Sequence, residues 1–296
     1  MDWDKLRIFH AVAEAGSFTH AGESLNLSQS AVSRQISALE ESLNTALFHR
    51  HARGLILTEQ GELLYRTAHE VFAKLAMAEA QLAESKDRPK GRLTVTATVA
   101  LGSTWLAPRM GEFLDIYPDV GVDLLLEDRE LDLSMREADV AIRMAPPRQP
   151  GLIQRHLMSV RMHIYASAGY IQKHGEPKRP EDLDQHKIIV YGEESRGPLP
   201  GVGWLLQVGG SKERPRRPVL SVNNIYAIQR AAQNGIGIAA LPSYMHQDVQ
   251  QLVRVLPELE GPRIDAFFVY PEELRNSKRI QVFRDFLIRK VAQSDI

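Results

Sequence analysis

The chain has 296 residues, 44% of them hydrophobic and 25% charged, with a formal net charge of −1. That length accommodates two or three domains with cores of their own, and the balance of apolar and charged residues excludes a disordered or fibrous chain. No apolar run approaches the roughly 18 residues needed to cross a bilayer. The N-terminal MDWDKLRIFH lacks the basic-then-apolar pattern of a signal peptide, so a cytoplasmic location is expected. The absence of cysteine excludes disulfides, thiolate metal sites and thiol redox chemistry.

A first helix is expected from about Trp3 to Glu14, with Asp2 and Asp4 at its positive end and Leu6, Phe9 and Ala13 on one face. Gly16 stops it. Ser17 then caps a second helix, Phe18 to Leu25, whose inward side is Phe18, Ala21 and Leu25. After a tight turn at Asn26-Leu27, Ser28 caps a third helix. There Val32, Ile36, Leu39 and Leu43 fall at spacings of four, three and four, an apolar stripe. Ser30, Arg34 and Ser37 lie opposite, with Gln29 and Ser33 flanking them near the N-terminus. Such side chains can hydrogen-bond base edges, and a recognition helix presents its N-terminal residues to the major groove. On residue types alone, the same face also fits the solvated side of an amphipathic helix.

Phe48-His49-Arg50, a turn at Ala52-Arg53-Gly54, and Leu55-Ile56-Leu57 read as a hairpin. Its tip carries Arg50 and Arg53, placed for phosphates or a minor groove. Three short helices followed by a basic hairpin make a winged helix-turn-helix. Residues 1–58 hold five Lys/Arg (Lys5, Arg7, Arg34, Arg50, Arg53) against six Asp/Glu (Asp2, Asp4, Glu14, Glu23, Glu40, Glu41). DNA affinity must therefore come from where charge sits rather than from a basic domain.

Thr58 caps a long helix running to about Ser85, in which Leu64, Ala68, Val71, Leu75, Ala78 and Leu82 alternate spacings of four and three. That is a coiled-coil seam. Pairing with a second copy of the chain is the simplest way to bury it, and packing against the chain's own winged domain is the alternative. Residues 86–92 form a charged, proline-broken hinge. Beyond it come a strand from Leu93 to Val99, a helix from near Ser103 to before Pro118, a strand from Val122 to Leu126, a short helix, and a strand from Asp139 to Met144. A second unit spans about 167–265, with strands at Ile188–Tyr191 and Ile236–Leu241 and a helix at Ile225–Gln233. The chain then returns through a strand at Phe267–Tyr270 and a closing helix that buries Ile280, Phe283, Leu287 and Val291. Alternating strands and helices imply parallel sheets covered by helices. The fold class is therefore α/β behind a mostly helical winged domain. The domains are 1–58 (winged helix), 59–86 (linker and dimerisation helix), 87–92 (hinge) and 93–296, the last divided into lobe I (about 93–166 and 266–296) and lobe II (about 167–265).

Residues 6–66, LRIFHAVAEAGSFTHAGESLNLSQSAVSRQISALEESLNTALFHRHARGLILTEQGELLYR, resemble the LysR-type regulator family. The pattern F-x-x-V-A-E-x-G-S-F, then S-Q-x-A-V-S-R-Q-I, then L-F-x-R-x-x-R, then L-T-x-x-G is met in order and spacing. Gly22 departs from it where a second alanine is usual, and Ser30 where proline is usual. The first hundred residues also look like the VtlR/LsrB branch. The stretches WLAPRMGEFLDIYPDVGVDL, EADVAIRM and NGIGIAALPSYM match the family's habits in the remainder. The resemblance implies a sequence-specific DNA-binding transcriptional regulator with a two-lobed, periplasmic-binding-protein-like effector domain. It makes Gln29, Ser30, Ser33, Arg34, Arg50 and Arg53 the DNA contacts, with Thr19 a phosphate contact. The implied partners are double-stranded DNA at a promoter or operator, further copies of the chain as a homodimer and then a homotetramer, RNA polymerase, and a small-molecule effector. No cofactor, metal or membrane is implied.

Ligands of such folds sit at the carboxyl ends of strands, between the lobes. The turn Leu101-Gly102-Ser103-Thr104 is expected to offer hydroxyls and helix N-terminal amides to an anion, and Arg143 a bidentate cation. Asn223 and Asn224 face them from the opposite lobe. Helix capping by Ser103 and Asn224, and a surface ion pair at Arg143, are the structural alternatives. Two tempting signals fail. Gly235-Ile-Gly237-Ile-Ala239-Ala240 fits a dinucleotide fingerprint, but a helix precedes it and a strand follows, the reverse of what nucleotide binding needs. His49 and His51 are two apart on one strand without a third ligand. No motif of recognisable catalytic spacing occurs, so an enzyme is not expected.

Overall fold

A computed structural model describes residues 2–51, 54–83, 88–147, 149–192, 201, 203–210, 216–245 and 251–294, with backbone alone at 50, 51, 54, 73, 74 and 76–83. The chain divides into two compact units, Met1–Ala83 and Glu84–Ile296.

The first unit opens with α1 (Trp3–Ala15), α2 (Phe18–Leu25) and α3 (Gln29–Leu43). Their ends follow from local chemistry. Asp2, Ser17 and Ser28 each accept an N-terminal amide of the helix they precede, and Gly16, Asn26 and Asn44 close the helices in the left-handed conformation. Gly22 departs from the family pattern at a point of close approach: a Cβ there would lie 2.6 Å from the Leu27 carbonyl oxygen, while the Leu27 N–H donates to the Gly22 carbonyl at 2.8 Å. Phe9, Ala21, Val32, Ile36 and Leu39 fill the core, as the periodicity predicts, together with Val12, which takes the buried place expected of Ala13.

The hairpin is β1 (Phe48–His51) paired antiparallel with β2 (Gly54–Leu57), Phe48 opposite Leu57. Glu40, near the end of α3, accepts the amides of Leu47 (2.8 Å) and Phe48 (3.2 Å) and so sets where the wing begins. The long helix α4 (Glu59–Ala83) follows. Thr58 accepts the Gly61 amide at 3.0 Å and donates to the Ala46 carbonyl at 2.8 Å. A Cβ on Gly61 would lie 2.1 Å from the Leu47 carbonyl oxygen, and that carbonyl accepts the Thr58 amide at 2.9 Å. The L-T-x-x-G motif is thus a cap and a close approach that lock the linker helix onto the wing.

The expected dimer seam needs correction. Ala68 is buried in the core of its own winged domain and Leu64 packs against that core, because the first turns of α4 cover α1. Val71 and Leu75 are exposed, as is Leu63 beside them. The side chains of Ala78 and Leu82 lie outside the described residues.

In the second unit β3 (Gly91–Ala97) starts two residues earlier than the sequence suggests, so Gly91 and Arg92 belong to a strand rather than to the hinge. Arg92 pairs there with Asp123 of the neighbouring strand. The helix after β3 also starts earlier: α5 (Val99–Leu101) runs through a π-helical turn at Gly102–Leu106 and a 3-10 turn at Ala107–Arg109 into α6 (Met110–Ile116). β4 (Val120–Leu126) and β5 (Val140–Arg143) lie parallel to β3 on either side. A turn at 133–136, not the expected short helix, lies between β4 and β5.

A sixteen-residue strand, β6 (Leu152–Ser167), was not foreseen. Then come α7 (Ala168–His174), β7 (Ile188–Tyr191), β8 (Leu220–Val222), α8 (Ile225–Gln233), β9 (Ile238–Pro242), β10 (Leu252–Arg254), β11 (Arg263–Pro271) and α9 (Lys278–Ala292). The strand order is β4-β3-β5-β11-β6-β9-β7-β8, with β10 beside β6. The first part of β6 pairs with β11 up to Arg161, and its second part with β9 from Met162. The lobes therefore divide at 161/162 and 262/263, about where Met162 donates to the Pro262 carbonyl at 3.1 Å, rather than at 166/167 and 265/266. Ile280, Phe283, Phe286 and Leu287 of α9 are buried under lobe I.

Gly61→Ala should lower stability by about 2 kcal/mol or more, since the clash is with backbone. Thr58→Ala should cost about 1 kcal/mol through the lost cap. Thermal unfolding checks both, and a Gly61→Ala protein melting with the wild type would show that the approach is not tight.

Candidate nucleic-acid interface and effector cleft

Burying Val32, Ile36 and Leu39 turns the other side of α3 outward. Gln29, Ser30 and Arg34 are exposed in its first two turns, and Ser33 and Ser37 are half-buried at the edges of that face. Arg34 is the one cation in the α3 sequence. Ser28 and Ser30 place their hydroxyls 3.1 Å apart, so a second hydroxyl accompanies the cap at the helix start where proline would offer none. Thr19 is exposed at the first turn of α2, its amide on the Ser17 hydroxyl at 3.3 Å. Arg50 lies in β1 with its side chain outside the described residues, and Arg53 lies outside them altogether.

In the α/β unit the loops after the three parallel strands converge. Thr96, Thr98, Asp128, Glu130, Leu131 and Arg143 line a groove there of only about 20 Å³, water-sized. The expected anion cradle at Leu101–Thr104 is corrected. The helix begins at Val99, so these residues offer no N-terminal amides. Leu101, Gly102 and Thr104 are buried, Thr104 donates its hydroxyl to the Ala100 carbonyl, and Ser103 is half-buried and caps nothing. The amide of Val99 itself is already met by a carboxylate, Asp128 Oδ1 at 3.1 Å.

Asp128 also reaches the other lobe. Its Oδ2 accepts from Asn224 Nδ2 at 2.8 Å, while Asn224 Oδ1 caps α8 by accepting the Ala227 amide. Asn224 is thus both cap and cleft residue, and Asn223 is exposed. Burial pushes the Asp128 carboxyl above its ordinary value, against the two hydrogen bonds that favour its charge. Burial, and then the Asp128 charge, push Tyr191 up to about 12 and raise Tyr244 as well. Arg143 is buried. Its Nη2 donates to the Leu131 carbonyl at 2.5 Å, and its Nη1 has no hydrogen-bond partner and lies 3.6 Å from Glu130. Asp128 was missed in the sequence, although an acidic run, Glu127-Asp128 before Glu130, directly after a strand was the available signal.

Residues 3–62 match the model of the bacterial regulatory helix-turn-helix protein, lysR family, and residues 86–292 that of the LysR substrate binding domain. The chain belongs to the LysR family: it is a DNA-binding transcriptional regulator with an effector-binding domain, not an enzyme. It is 32% identical over 294 residues to an HTH-type transcriptional regulator of Xanthomonas campestris pv. campestris, covering 98% of this chain and 86% of that one. It is 30% identical over 297 residues to the regulator CrgA of Neisseria meningitidis serogroup C, covering 98% and 97%. The solved structure of CrgA from Neisseria meningitidis superposes with a TM-score of 0.61 at 29% identity over 98% of this chain and 99% of that chain. The fold is also that of CbnR, at a TM-score of 0.69 and 19% identity over 98% and 99%. Among the described residues no helix is long and apolar enough to cross a membrane.

The raised Asp128 carboxyl gives a signed pH dependence. The folded state holds this proton more tightly than the unfolded state, so Asp128 contributes stability at low pH that is lost as pH rises from the ordinary carboxylate value through the raised one. Asp128→Asn removes this loss. Its melting temperature relative to wild type should climb as pH goes from about 4 to 7. A difference that stays flat across that range would show that burial does not hold the carboxyl up.

Proposed function

We propose that α3 reads the operator in the major groove through Gln29, Ser30 and Arg34, with Ser33 and Ser37 at the margin of the contact. Thr19 and the wing arginines Arg50 and Arg53 then hold the backbone phosphates. The observation that carries this is the outward polar face at the start of α3, set by three buried residues behind it. The regulator works in the cytoplasm on double-stranded DNA. It assembles through the part of α4 that its own winged domain leaves uncovered, Val71 and Leu75, into dimers and then a tetramer, with RNA polymerase as its downstream partner. Two recognition helices in one assembly suit half-sites one or more helical turns apart, roughly 34–36 Å per turn.

The effector binds between the lobes at Asp128, Asn224 and Arg143. Asp128 accepts the first amide of α5 there and Asn224 caps α8, which disfavours a simple anion. A ligand with a hydrogen-bond-donating or cationic group for Asp128 and an acceptor for Arg143 Nη1, which has the Glu130 carboxylate nearby but no hydrogen bond, fits better. A ligand that takes over Asp128 breaks the Asp128–Asn224 bond, which crosses between the lobes, and so favours parted lobes, a shift between two populations.

Arg34→Ala should weaken binding to the cognate duplex by about 1–3 kcal/mol while leaving scrambled duplex nearly unchanged. Fluorescence anisotropy on the DNA upstream of the protein's own gene checks this, and equal losses on both duplexes would make Arg34 a phosphate contact. Leu75→Asp should shift sedimentation toward smaller species with α1–α3 still folded. An unchanged assembly would place the interface elsewhere.

A further inference from the structure

Among the described residues, three metal-ligating side chains meet in one place, on the side of the winged domain where α1 meets α4. His10 and Glu14 are one turn apart on α1, which puts them on the same face of the helix. His69 comes from α4. His10 Nε2 lies 2.9 Å from His69 Nδ1, Glu14 Oε2 lies 3.6 Å from His10 Nδ1, and Glu14 Oε1 lies 3.9 Å from His69 Nδ1. One donor atom from each residue lies within 4.8 Å of the other two.

We propose that His10, His69 and Glu14 form a binding site for a divalent transition cation of the zinc class, joining the first helix to the linker helix. Two imidazoles and one carboxylate are a donor set such ions take readily, at about 2.0–2.2 Å per bond. A tetrahedral centre with bonds of that length spaces its ligand atoms about 3.3 Å apart. With one donor atom from each residue within 4.8 Å of the other two, side-chain rotations of about an ångström close the site. The rings are already placed. His10 stacks on Tyr65 with ring centroids 5.4 Å apart and leans on Phe72 at 5.2 Å, while Phe72 packs against Trp3 at 4.7 Å. Glu14 is exposed and leaves the outer coordination position open to water. The imidazole pair otherwise holds itself by one ring N–H donating to the other ring's nitrogen. A cation replaces that single bond with three and stiffens the joint between the linker helix and the helices that carry α3.

The test uses the full chain, stripped with a chelator and dialysed, then titrated separately with Co²⁺ and Zn²⁺. The expected result is one equivalent per chain, visible absorption from four-coordinate Co²⁺, and a higher melting temperature with Zn²⁺. His69→Gln and Glu14→Gln should each weaken uptake tenfold or more and abolish the thermal gain, whereas His49→Gln on the wing should leave both intact. Circular dichroism of the metal-free variants establishes that they remain folded. Absence of uptake by the wild type, or uptake undiminished in folded His69→Gln and Glu14→Gln proteins, overturns the site.

Discussion

The effector domain depends on one strand that belongs to two sheets. β6 runs for sixteen residues, pairs with β11 along its first part and with β9 and β10 along its second. One continuous strand thus keeps both lobes hydrogen-bonded to the same backbone. With the sheets joined, the carboxyl ends of β3, β4 and β5 are brought opposite the start of α8, and the Asp128–Asn224 bond crosses between them. The cleft thus follows from backbone pairing before any particular side chain is chosen.

The winged domain shows the same economy at smaller scale. The carbonyl of Leu47 accepts the Thr58 amide and leaves no room for a side chain at position 61. Glu40 ties the preceding amides back to α3. The hairpin, α3 and α4 are in this way fixed to one short stretch of chain, and the outward face of α3 inherits a defined orientation.

The winged domain was legible in the sequence almost to the residue, because caps, left-handed stops and a 3.6-residue stripe are local signals. Ser17, Ser28, Gly16 and Asn26 announce α2 and α3 without reference to the rest of the chain. The effector domain was legible in its class but not in its details. β6 alternates strictly from Met158 to Ile164, a strand signal that was available and overlooked, while its two ends carry adjacent apolar or adjacent polar residues that hide its length. The helix after β3 starts at Val99 because Asp128, twenty-nine residues on, takes its first amide, and no local pattern carries that information. Arg143 and Asn224 were found because strand ends and helix caps are local. Asp128, His10 and His69 were not, since their partners are distant in the chain. The seam on α4 was read as one surface for a related reason: periodicity reports that a face is apolar and says nothing of what covers each turn.

That divided helix has a geometric consequence. Its early turns are part of the winged core, at Leu64 and Ala68, while Val71 and Leu75 further on are uncovered. The helix has 25 residues, and at about 1.5 Å per residue it extends for roughly 37 Å. The uncovered turns cannot rotate or slide without carrying the reading head with them. The helix therefore acts as a ruler: inserting or deleting a single residue between Phe72, which still packs on the winged core, and Leu75 would turn the head by about 100° relative to the later turns. In an assembly held by Val71 and Leu75, as proposed, operator spacing would be written into the phase of one helix.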